Sequence, residues 1–292
     1  MEALREMISQ MRQANGKDQV SAQESHSNLM SPEEYEQFKV DGMNKLQGNL
    51  NDIDGYECPI CLNKGVIYER VEYNENRYTT ALDCKCAPIR RSIMRMKRSG
   101  LKDVIRDCTF DKWIATENWQ KATKQAAQDF ANNPKGWFFI GGQSGCGKTH
   151  LCTAICRELL LSGQEVQYMQ WRDEVVRLKG RELAHDQRES LINAFKKAKV
   201  LYIDDLFKTG KNPDGSEQRP TSADINIAFE LLNYRYNNPD MITIISSEFP
   251  MLGLLEIDEA IGGRINERTQ GKALSIAKDG AKNYRTKNMI IL

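Results

Sequence analysis

Short apolar runs alternate with longer stretches whose apolar residues recur every three or four positions over the second half of the chain. Residues 137–140, 165–171, 200–204, 241–246 and 272–277 predict strands, and the stretches 150–160, 172–198, 222–237 and 251–268 predict helices. Another helix-like stretch, 117–131, leads into the first of these strands. Strands alternating with helices predict an α/β fold: a parallel five-stranded sheet with helices on both faces. The front of the chain reads differently. Residues 1–54 are acidic on balance, with Gln, Asn and Ser around short helical stretches such as Pro32–Lys39, and predict a mobile arm with one or two helices. Two β-like runs, Gly65–Tyr73 and Arg77–Ala81, flank Asn74, Glu75 and Asn76 as a hairpin would. The basic segment 88–106 follows, in which Ile93, Met96 and Leu101 face inward if it is helical. The stretch Lys208–Thr221, rich in Gly, Pro and polar residues, predicts a mobile loop. The expected units are therefore an arm at 1–54, a small module at 55–106, and the α/β domain at 107–292, entered through a linker around Cys108–Asp111.

Composition narrows the class without deciding it. With 292 residues and 40% apolar positions the chain can bury one sizeable core. A formal net charge of +1 gives no global attraction to nucleic acid, so any such attraction must come from local patches. No apolar run approaches the roughly 20 residues of a membrane span, and the N-terminus lacks a signal-peptide core. The expected location is cytoplasmic, with no membrane partner. In that reducing setting the eight cysteines are expected to be thiols or metal ligands.

Chemistry enters between the first strand and its helix. Gly142, Gln143, Ser144, Gly145, Cys146, Gly147, Lys148 and Thr149 spell a P-loop in its required context of strand, glycine-rich loop and helix, with His150 next in line. Glycines let backbone N–H groups wrap a triphosphate, Lys148 reaches the β/γ-phosphates and the Thr149 hydroxyl ligates Mg²⁺. The expected cofactors are thus ATP or ADP with Mg²⁺. Val200–Asp204 has the shape of a Walker B strand: apolar residues buried in the sheet, then Asp204 for Mg²⁺ and Asp205 to orient or deprotonate the attacking water. Ser246, Ser247 and Glu248 end the next strand, and Ser247 is the candidate contact to the γ-phosphate or the water. Arg264, after two glycines, is a candidate arginine finger toward a neighbouring subunit's nucleotide, so self-association through the ATP sites is expected. Near the front, Cys58 and Cys61 at C-x₂-C spacing precede Cys84 and Cys86. The second pair is spaced C-x-C, and the two pairs together complete a tetrahedral Zn²⁺ site, of the closed kind that is structural and serves interaction. So small a module needs its metal to fold.

Taken together, the cysteine module, the basic segment, the P-loop, the Val200–Asp205 strand, the 223–239 helix and Glu259–Arg268 resemble the DnaC/DnaI-type replicative helicase loaders, in particular phage-type DnaC-like proteins. The resemblance covers about residues 55–292 and implies an AAA+ ATPase. Its N-terminal module would grip a hexameric DnaB-type replicative helicase while the ATPase domains assemble on it and contact single-stranded DNA. Lys148, Thr149, Asp204, Asp205, Arg264 and a sensor-2-like Arg285 fall at the family's positions. Many related ATPases carry Glu where Asp205 stands. The shorter side chain sets the carboxylate back, and a misplacement near 1 Å costs on the order of 10²-fold in rate, so slow turnover is expected. AAA+ proteins usually continue into a helical lid, but only 28 residues follow Arg264, so the site is expected to stay open until a neighbour covers it. Two readings compete: an IstB-type transposition helper acting with a transposase on double-stranded DNA, and a zinc-stabilised adaptor switched by nucleotide with negligible turnover. A full DnaA-type initiator is not expected, because no helix-turn-helix domain fits after Arg264.

Overall fold

The computed structural model describes residues 30–73, 76–98, 101, 106–180, 182–210 and 218–284. Two helices, α1 (Pro32–Lys45) and α2 (Leu50–Asp54), precede an antiparallel hairpin of β1 (Val66–Tyr73) and β2 (Asn76–Asp83), and α3 (Ala87–Arg98) follows. The remainder alternates: α4 (Asn118–Asn132), β3 (Trp137–Gly142), α5 (Lys148–Leu161), β4 (Val166–Gln170), α6 (Trp171–Lys179), α7 (His185–Lys197), β5 (Val200–Leu206), α8 (Ser222–Tyr236), β6 (Ile242–Ser247), α9 (Met251–Ile257), α10 (Glu259–Arg268), and β7 (Leu274–Ile276). The five strands lie in the order β4-β5-β6-β3-β7, all parallel.

Period-two alternation sorts the side chains of these buried strands onto two faces. Phe138, Ile140, Tyr168 and Tyr202 face a cluster with Leu151 and Ile155 of α5. Trp137, Phe139, Met169, Leu201 and Ile203 face one built from α6 to α10. Both faces being covered, the strands read as continuous apolar runs. Two helical stretches are each divided: 172–198 breaks between Lys179 and His185 at Gly180, and 251–268 breaks at Asp258, whose carboxylate caps α10 by accepting from the Ile261 N–H at 2.8 Å.

The front of the molecule is tied down more than its composition foretells. Residues 1–29 of the expected arm lie outside the described residues; over the rest, α1 lies on the hairpin instead of trailing, since Asn44 pairs both ways with the Tyr68 backbone, at 2.8 and 2.9 Å, and Val40 is buried. Asp54 at the end of α2 makes a buried ion pair with Arg90 of α3 at 2.6 Å. The helix α3 is also part of the main core, since Ile89, Ile93 and Met96 join the cluster on the α5 face and Leu101 packs against it. The turn at 74–75, most of 99–105 and the centre of the 208–221 loop fall outside the described residues.

One buried cation organises the end of the sheet farthest from the P-loop. Arg235 of α8 is fully buried and has no carboxylate partner among the described residues. It donates to the carbonyls of Phe195, Lys196, Ala198 and Ile242 and to the Thr243 hydroxyl, at 2.6 to 3.1 Å. Burial lowers its pKa to about 9, so it stays charged near neutrality, and its charge faces the C-terminal end of α7, where a cation is favoured. Replacing Arg235 by Met leaves these acceptors unpaired. Chemical denaturation is expected to show a loss of about 3 kcal/mol or more.

Candidate nucleotide site and cysteine cluster

The P-loop joins β3 to α5 and needs its glycines for two different reasons. Gly142, Gly145 and Gly147 all have positive φ, of 132°, 79° and 93°. Space is also closed: a Cβ on Gly147 would lie 2.3 Å from the Trp113 ring, and one on Gly142 the same distance from the Ile276 carbonyl. The Lys148 ammonium, almost wholly buried, donates to the carbonyls of Gly142 and Gln143, each at 2.8 Å, and so braces the loop. A cavity of about 650 Å³ opens beside Gly142, Gln143 and Ser144 and extends to Glu248, Pro250 and Lys278. The loop opens α5, where backbone N–H groups and the helix dipole favour phosphate.

Asp204 ends the regular part of β5 and faces this loop. Its Oδ1 accepts from Thr149 (3.1 Å), Tyr202 (2.7 Å) and Ser246 (2.6 Å), and its Oδ2 from Tyr168 (3.0 Å). Burial and the neighbouring carboxylate push both phenols up, so they remain protonated donors. The Thr149 and Asp204 oxygens are the donor set that would hold Mg²⁺. At Asp205 the pairing of β5 with β6 slips, φ turns to 57°, and the N–H bonds Ser246 Oγ at 2.9 Å, which carries this carboxylate to the front of the sheet.

The remaining candidate residues divide. Ser247 is fully buried, donating to the Leu206 carbonyl at 2.8 Å and accepting from the Phe249 N–H. The serine at the end of β6 that reaches Asp204 is Ser246. His150 turns to the Thr109 carbonyl, 2.9 Å away, with its ring tilted against that of Trp113. Cys146 is buried, with its thiol donating to the Gln143 carbonyl. Gln143 exchanges two hydrogen bonds with the Asp279 backbone, and the Tyr284 N–H bonds the Gly145 carbonyl at 3.0 Å, so the segment 279–284 lies across the loop. Arg285 is the next residue and lies outside the described residues. Arg264 sits on α10, bonded to Asn233 and the Ala260 carbonyl and stacked over Phe229 and Tyr236. No bond to its own P-loop is present among the described residues. Tyr168, Tyr202 and Trp113 escape sequence reasoning. Only Tyr202 left a signal, two positions from Asp204 and hence on the same side of the strand.

At the front, the sulfur atoms of Cys58, Cys61, Cys84 and Cys86 all lie within 4.8 Å of one another, and all four residues are buried. The Cys58–Cys84 and Cys61–Cys86 separations are 3.8 and 3.6 Å. A tetrahedron with Zn–S bonds of about 2.3 Å has edges of about 3.8 Å, so the cluster fits zinc. The surroundings fit thiolates as well: the Gly65 N–H donates to Cys61 Sγ at 3.2 Å and Arg90 Nε to Cys86 Sγ at 3.4 Å. Burial alone would raise the Cys61 thiol, but the Gly65 N–H and the adjacent sulfurs outweigh it and bring it down to about 7, whereas burial prevails at Cys84 and Cys86, pushing the first up and the second up to about 12.

Residues 104–266 match the family described as the bacterial DnaA ATPase domain, which is more than half of the chain. The chain belongs to that family. Among its relatives, the phage-like element PBSX protein XkdC of Bacillus subtilis (strain 168) is 31% identical over 74% of this chain and 81% of its own length. The replicative helicase loader DnaC of Escherichia coli (strain K12) is 31% identical over 37% of this chain, which spans about half of DnaC's length (46%). A crystal structure of DnaI superposes at a TM-score of 0.47, with 20% identity over 63% of this chain and 93% of that one. The matched stretch includes the P-loop, Asp204, Asp205 and Arg264. None of the described helices is long and apolar enough to cross a membrane.

Because α3 starts directly after Cys86 and ends in the main core, the cysteine cluster is not insulated from the ATPase domain. Elemental analysis of protein purified without chelator is expected to find about one zinc per chain, lost in Cys58→Ser or Cys84→Ser. Stripping it is expected to lower the melting temperature of the whole chain in differential scanning calorimetry. A bound metal whose removal leaves that transition unmoved would contradict this coupling.

Proposed function

We propose that this chain is an ATP-dependent helicase loader, which binds a hexameric DnaB-type replicative helicase and delivers it onto single-stranded DNA during replication. The observation that carries the reading is the meeting of Lys148, Thr149 and Asp204 at the carboxyl edge of a DnaA-type domain in a chain similar to a protein named replicative helicase loader. ATP would occupy the P-loop, with Mg²⁺ on Thr149 and Asp204. Asp205, turned to the front, would take the proton of the attacking water, which yields ADP and phosphate slowly. Zinc on Cys58, Cys61, Cys84 and Cys86 would shape the module that grips the helicase. Arg264 has its guanidinium over an aromatic pair on α8 and would serve the ATP site of a neighbouring copy.

Pull-down of the tagged chain with a replicative helicase, and in parallel with a transposase, tests the partner. Retention of the helicase and not the transposase is expected; the reverse would favour the IstB-type reading. Asp205→Asn is expected to keep ATP binding and lose turnover, whereas Lys148→Ala is expected to lose binding itself. Arg264→Ala is expected to bind ATP but lose about 10³-fold in hydrolysis, since a transition-state arginine is worth that much. Mixing it with Lys148→Ala should restore part of the activity, because a junction with one intact P-loop and one intact arginine can then form. Co-assembly of the two chains without recovered activity would remove the trans role.

A further inference from the structure

Just past the strand tip that carries Asp205, the chain doubles back. Asp205 and Phe207 have φ of 57° and 63°, and the Lys208 N–H closes the turn on the Asp205 carbonyl at 2.9 Å. Non-glycine residues held in this region cost about 1–3 kcal/mol each and persist where surrounding contacts enforce them. The turn brings the Lys208 ammonium to 2.6 Å from Asp205 Oδ2 and 3.1 Å from Glu248 Oε1, just beyond β6. Burial alone would lower the Lys208 pKa, but the two carboxylates outweigh it and raise it. Without that cation, Asp205 and Glu248, the second of which lines the cavity beside the P-loop, would face each other, an arrangement that like charges disfavour.

We propose that Lys208 is a positioning residue that clasps Asp205 to Glu248, keeps the Asp205 carboxylate from the attacking water, and thereby restrains basal ATP turnover until the clasp opens. This rests on the ATPase reading above. In the hydrolysis it restrains, the water oxygen bonds to the γ-phosphorus while the bond to the β,γ-bridging oxygen breaks. ADP leaves with that electron pair, and one water proton passes to Asp205. A carboxylate whose Oδ2 already accepts from an ammonium is turned toward that ammonium and shares its charge with it, so it is poorly placed for this proton. The size of the effect makes it a brake and not a lock. Asp205 and Lys208 are both partly exposed, and pairs of that kind are worth about 1 kcal/mol or less, which a bound partner's charge can overcome.

Steady-state ATP hydrolysis by the full chain tests the clasp with four variants: Lys208→Met, Lys208→Arg, Asp205→Asn and the double change Lys208→Met with Asp205→Asn. Lys208→Met is expected to raise kcat about two- to fivefold at unchanged KM. Lys208→Arg keeps the cation and should stay at the parent rate, and the double variant should be silent, which shows that the added turnover runs through Asp205. A fall in kcat with a rise in KM would make Lys208 a phosphate ligand, and an unchanged kcat would make it a surface ion pair; either overturns the clasp. If Lys208→Met melts early, Lys208→Gln carries the same comparison. The parent rate and Asp205→Asn judge the ATPase reading separately. A parent that turns over while Lys208→Met does not exceed it defeats the clasp alone, whereas ATP binding without turnover in the parent and every variant defeats both.

Discussion

A buried carboxylate has to be solvated by the protein itself, and at Asp204 this requirement shapes the whole carboxyl edge of the sheet. An ionised group taken from water without compensating hydrogen bonds is costly enough to be neutralised instead. Four hydroxyls supply the compensation here, and each comes from a different element: Tyr168 from β4, Tyr202 from β5, Ser246 from β6 and Thr149 from α5. The charge therefore acts as a common anchor for three neighbouring strands and the helix that follows the phosphate loop. Sheet register and site geometry are satisfied by the same set of bonds.

The adjoining residue shows how one strand tip serves two ends. Regular alternation would put Asp205 on the opposite face from Asp204, among the apolar residues that pack against α6 to α10. The slip between Ile203 and Leu206, together with the left-handed turn, averts that burial and leaves the second carboxylate partly exposed beside the Lys208 ammonium. Irregular backbone is thus concentrated where the chemistry needs two acids close in sequence but different in surroundings. Arg90 does related work at the front, where a single guanidinium touches Asp54, Asn63 and a cysteine sulfur and joins the cluster to the helices around it.

The inner strands β3, β5 and β6 were legible because each is a short, mostly apolar run buried on both faces, and the phosphate loop because its spacing is local and steric. The cysteine cluster was legible for the same reason: two close pairs need only one fold-back to meet. What stayed hidden depends on contacts between residues distant in sequence. Nothing in the arm's composition announces that Asn44 will mimic a strand partner for Tyr68, or that Asp54 will find Arg90. Ser247 and Ser246 are indistinguishable as text; only the pleat decides which one points toward Asp204 and which one toward Leu206. Trp113 lies between the stretch that reads as a linker and the next predicted helix, and its place against Gly147 follows from packing alone.

The helix α3 has a mechanical meaning beyond its share of the core. Its 12 residues make a rod about 18 Å long, rooted at one end in the cysteine cluster and laid at the other against the edge strand β4, where Arg95 reaches Gln167 and Glu165. A rod seated at both ends transmits torque. Force applied to the hairpin by anything it holds would be felt at the sheet edge two strands from the P-loop strand's own neighbour, with little slack to absorb it, because Ile89, Ile93 and Met96 would first have to leave their packing.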